Sequence, residues 1–72
     1  MISFEPLWDT LNKKNISQYD LVNYYNFSKS TLDRLRHNRN ITLNTLNDLC
    51  VALDCSVEDI IVYNPDNKKG TQ

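Results

Sequence analysis

A chain of 72 residues, 40% hydrophobic and 24% charged, has apolar side chains enough for one small core and too few for two, so a single domain is expected. No apolar run approaches the length that crosses a bilayer, which excludes a membrane span. A formal net charge of -1 argues mildly against a nucleic-acid partner when taken as a total, but the charge is unevenly spread along the chain.

A helix leaves its first N–H groups unpaired, so a Ser or Thr preceded by an apolar residue and followed four positions later by another marks a helix start. The sequence writes this pattern five times. Ile2-Ser3 with Leu7 predicts the first helix, with Phe4, Leu7, Trp8 and Leu11 on one stripe. Pro6 fits its first turn, where the missing N–H would have no intrahelical partner. Ile16-Ser17 with Leu21 predicts the second helix and Phe27-Ser28 with Leu32 the third. Ile41-Thr42 with Leu46 predicts the fourth, along which Leu43, Leu46, Leu49, Cys50 and Leu53 keep helical spacing. Cys55-Ser56 with Ile60 predicts the fifth. Ser17 and Ser56 also carry an acid three residues on, Asp20 and Asp59, at the positive end of the helix dipole.

No segment reads as a strand, so the expected fold is all-α, a compact five-helix domain. Gly70 is the only glycine, which leaves the turns to Asn15, Asn26, Asn38 and Asn40, because Asn tolerates the left-handed conformation better than most residues. After Tyr63 nothing apolar remains to anchor the chain, and Pro65 discourages a helix. Residues 1–63 are therefore expected to form the domain and 64–72 a flexible tail.

Cys50 and Cys55 fall at apolar positions and read as buried thiols in a reducing compartment, because two cysteines allow at most one bridge. With His37 as the only histidine they make no convincing zinc set, so no metal is expected. No cofactor or small-molecule ligand is evident. No nucleophile elbow, phosphate loop or paired-carboxylate site occurs, which argues against an enzyme. The first residues lack the basic region, apolar stretch and cleavage site of a secretory signal, so a cytoplasmic location is expected.

Between Lys29 and Arg39 the cations Lys29, Arg34, Arg36 and Arg39 face one acid, Asp33. Asp48, Asp54, Glu58, Asp59 and Asp66 follow before the next cation, Lys68, so the chain is basic in its middle and acidic after it. The basic stretch sits on the second of two short helices joined through Tyr25-Asn26-Phe27, which is the layout of a helix-turn-helix. If Leu32 and Leu35 face inward, the helical period turns Lys29, Ser30, Asp33, Arg34 and His37 outward. Arg can bind guanine through two parallel hydrogen bonds, Lys reaches guanine or phosphate, and Ser lets the backbone approach. Asp33 would accept from cytosine N4 or hold Lys29 or Arg34 in position.

The stretches Ser17-Gln18-Tyr19-Asp20-Leu21-Val22, Asn26 to Leu35 and Thr45 to Ile60 resemble the Cro and lambda-repressor-like (XRE-type) helix-turn-helix family, over nearly all of residues 3–63. The resemblance implies that the helix matching Ser28 to His37 lies in the major groove of double-stranded DNA. It also implies that Gln18 touches a phosphate and that Lys29, Ser30 and Arg34 meet base edges. Three positions depart from the family pattern: Val22 replaces a small alanine, Asn26 a turn glycine, and Arg36 an acid that usually makes an ion pair. We assign Lys29, Ser30, Asp33 and Arg34 to the bases, and Gln18, Ser28, Arg36, His37, Asn38 and Arg39 to the phosphates.

Most exposed charges are only a solvated face, and the acidic final third would equally suit a protein-binding module on the same fold, such as an antitoxin or antirepressor. Ile60 to Tyr63 place four apolar residues in a row, too many for one face of a helix, so Ile61, Val62 and Tyr63 are expected to meet a second copy in a homodimer.

Overall fold

The computed structural model describes residues 1–65. In chain order they form strand β1 (Ile2–Ser3), helices α1 (Glu5–Lys13), α2 (Gln18–Asn23), α3 (Lys29–Arg36) and α4 (Leu43–Leu53), one 3₁₀ turn (Val57–Asp59), and strand β2 (Val62–Tyr63). Among the described residues no helix is long and apolar enough to cross a membrane.

Three of the five expected caps form as expected: the hydroxyls of Ser17, Ser28 and Thr42 accept from the backbone N–H groups of Asp20, Thr31 and Thr45. At Ser17 the reciprocal bond closes as well, with the Asp20 carboxylate accepting from the Ser17 N–H at 3.0 Å. The first start is displaced. Phe4, not Ser3, is the N-cap of α1, and its N–H donates to Asn38 Oδ1 at 2.9 Å, an acceptor from the end of α3. Asn15, Asn26 and Asn38 take positive φ between the helices, as does Asp54, which composition did not suggest; Asn40 does not.

The expected fifth helix is a correction. Asp59 accepts from the Ser56 N–H at 3.0 Å as its spacing requires, but only one turn follows. Val57, Ile60, Ile61 and Val62 are β-branched and favour extended backbone, and Pro65 caps the length any helix could reach. The chain buries Ile60, then extends and pairs Val62 and Tyr63 antiparallel with Ser3 and Ile2. The expectation of no strand is therefore wrong by this one short ribbon. The Asn64 N–H donates to the Met1 carbonyl at 2.8 Å and so lengthens it. The expected tail otherwise falls on residues 66–72, which lie outside the described residues.

Phe4, Leu7, Leu11, Leu21, Leu32, Leu35, Leu46, Leu49, Leu53 and Ile60 form one buried cluster, with Trp8, Phe27 and Ile41 packed against it. Each of the four α-helices supplies a fully buried leucine, Leu7, Leu21, Leu35 and Leu49, so the core fixes α2 and α3 relative to α1 and α4. Thr10 Oγ1 donates to the Asp59 carbonyl at 2.7 Å and ties α1 to the 3₁₀ turn.

Candidate nucleic-acid interface

Leu32 and Leu35 are buried and fix the rotation of α3. Lys29, Ser30, Asp33, Arg34 and His37 are consequently all exposed, as the period predicts, and Arg36 is exposed as well. Lys29, Arg34 and Arg39 have no side-chain hydrogen bond or carboxylate partner among the described residues. Three cations thus project from α3 and the loop after it without a neutralising acid, free to take an anionic or acceptor-rich partner.

The remaining polar groups on this side are held in place by one another. Arg36 Nε donates to Gln18 Oε1 at 2.7 Å, which joins the end of α3 to the start of α2 and leaves the Gln18 amide NH2 and the Arg36 terminal nitrogens as donors. Asp33 does not hold Lys29 or Arg34. His37 Nδ1 lies 3.3 Å from Asp33 Oδ1 and 2.9 Å from the Asp33 carbonyl oxygen. Both are acceptors, so the ring donates from Nδ1 back onto its own helix and presents Nε2 outward.

Two expected phosphate contacts carry structural duties. The Ser28 hydroxyl accepts from the Thr31 N–H at 3.0 Å and donates to Thr31 Oγ1 at 2.9 Å, which leaves its backbone N–H as its donor to a phosphate. Asn38 holds Phe4 with its side-chain oxygen and keeps its NH2 outward on the chain that leads to Arg39. The Arg39 N–H donates to the Arg34 carbonyl at 2.8 Å, so the loop leaves α3 in a fixed direction.

Tyr19, not singled out from the sequence, is exposed beside Gln18 and shares the groove between α2 and α3 with Lys29 and Arg36. Its place directly after Gln18 was the available signal. In the C-terminal ribbon, Ile61 is half-buried while Val62 and Tyr63 are exposed, the register sets exposed Ile2 opposite Tyr63, and Ile2 and Ile61 line one pocket with Asn38 and Arg39. Ile2 is therefore a further member of that apolar surface. Among the described residues no group of three or more His, Cys, Asp or Glu is placed to hold a metal ion.

A helix-turn-helix with a cationic outer helix is the architecture of a DNA-binding domain. The sequence profile of the Cro/C1-type HTH DNA-binding domain matches residues 6–66, and the chain belongs to that family. Among solved structures it is similar to the crystal structure of the transcriptional regulator VanUg, at 32% identity and a TM-score of 0.82, over 90% of this chain and 87% of that one. No curated protein sequence matches it.

Proposed function

We propose that the chain is a sequence-specific transcriptional regulator that sets α3 in the major groove and acts as a repressor-like homodimer. The observation that carries this reading is the partnerless set Lys29, Arg34 and Arg39 on α3 and its exit loop. Lys29, Ser30 and Arg34, with Asp33 oriented by His37, read base edges. Gln18, Ser28, Arg36, His37, Asn38 and Arg39 hold the backbone on either side. The Gln18–Arg36 bond supports this division, because it fixes two donors at one shoulder of α3 before DNA arrives and so reduces the ordering cost of binding.

Retention from random genomic fragments at moderate salt, followed by sequencing, tests the reading. A shared sequence motif among retained fragments is expected. Retention without a motif, or none at all, contradicts it and favours the protein-binding module.

One recognition helix touches too few base pairs to select a genomic site, and twofold pairing doubles the footprint. Ile61, Val62 and Tyr63, joined by Ile2 across the ribbon, supply the apolar surface for that pairing. Sedimentation is expected to show a dimer on DNA that Ile61→Asp dissociates. A monomer on DNA, or self-association untouched by the substitution, excludes this surface.

A further inference from the structure

The end of α4 closes in a Schellman motif. Asp54 takes the left-handed conformation with φ 51°, the Cys55 N–H donates to the Cys50 carbonyl at 3.1 Å, and the Asp54 N–H to the Val51 carbonyl at 3.3 Å. In this motif the side chains at the two ends of the longer bond pack against each other. Here both are cysteines, half-buried and free. The Cys55 N–H to Cys50 carbonyl bond brings the two residues side by side, and the Cys50 thiol is among the groups that act directly on the Cys55 thiol, which is the adjacency a disulfide requires. Cys55 also lines a small open pocket with Thr10, Lys13, Lys14, Asp54 and Asp59.

We infer that Cys50 and Cys55 are a dithiol modification site that closes reversibly to a disulfide by exchange with a low-molecular-weight disulfide of the glutathione class. The Cys55 thiolate attacks one sulfur of the small disulfide and expels the first small thiolate. The Cys50 thiolate then attacks Cys55 Sγ in the mixed disulfide and expels the second. The two protons given up by the cysteines pass to the two leaving thiolates, so the protein loses two electrons and the small disulfide gains them. Burial, the adjacent Cys50 and Asp59 push the Cys55 thiol up from its ordinary range while Lys14 opposes them, which lowers its thiolate fraction and slows the first attack at neutral pH.

The closed bond joins α4 to the segment leading into the 3₁₀ turn, two stretches of backbone that the Schellman hydrogen bonds already hold together. The folded state should therefore favour closure over the unfolded chain, and the same factor must appear as added stability of the oxidised protein.

The test equilibrates the intact chain with graded mixtures of glutathione and glutathione disulfide, folded and in urea, followed by acid quench and intact mass. The folded chain is expected to lose two hydrogens with an equilibrium constant at least about tenfold above that of the unfolded chain. Its unfolding midpoint should rise on oxidation. Cys50→Ser and Cys55→Ser are each expected to hold one glutathione and to lose no hydrogen pair. Equal constants for folded and unfolded chains, or a folded wild-type chain that retains glutathione without closing, overturn the assignment.

Discussion

Leu49→Ala is expected to destabilise the domain by about 2–5 kcal/mol, whereas Leu43→Ala on the same helix should change stability by less than about 0.5 kcal/mol. Leu49 is 0% exposed at the centre of the core, and Leu43 is 82% exposed at the first position of α4. Truncating Leu49 loses the transfer free energy of its methyl groups and leaves a cavity that α1, α2 and α3, each held by its own buried leucines, cannot collapse to fill. A domain of this size has roughly 4–11 kcal/mol in all, so this one change removes a large share of it. Urea unfolding with an unchanged m value checks both variants. Equal costs would mean that α4 is rotated from the orientation described here.

That pair of leucines also marks where periodicity stops being informative. Leu43, Leu46, Leu49, Cys50 and Leu53 all keep helical spacing, but residues seven apart lie only about 20° from each other around a helix, so Leu43 shares the stripe's edge with half-buried Cys50. At the first turn of α4 no neighbouring element covers that edge. The caps of α2, α3 and α4 were legible because each depends on residues within four positions. The C-terminal ribbon was not, because its partner is the other end of the chain, where Val62 pairs with Ser3 and Tyr63 with Ile2. The Asn38–Phe4 bond escaped for the same reason, whereas the left-handed turn at Asn38 did not.

The outward set of α3 follows from its period once Leu32 and Leu35 are placed inside, and the exposed side chains agree with it. What the sequence could not give is who pairs with whom on that face. Asp33 has two cationic neighbours in the chain, yet its carboxylate meets His37 one turn on, and Arg36, which lost the acid expected of its position, finds Gln18 on the preceding helix. Both pairings leave Arg34 unopposed, which matters for how the surface is tested.

Arg34→Ala is expected to weaken binding to the preferred site by about 1–3 kcal/mol and to relax preference at one base position, because a mid-helix guanidinium without a protein partner is free to bind guanine through two hydrogen bonds. Arg39→Ala, in the loop that the proposed complex sets against the DNA backbone, should weaken every sequence alike and lower the salt dependence by about one phosphate. Gln18→Ala should also lack base preference, but as a neutral group it should leave the salt slope nearly unchanged. Titration of wild-type and Arg34→Ala protein on the selected site and on a scrambled one, at several salt concentrations, tests the placement of α3 most directly. The expected result is a loss confined to the selected site; equal weakening of both DNAs, or no change on either, contradicts a reading helix in the major groove.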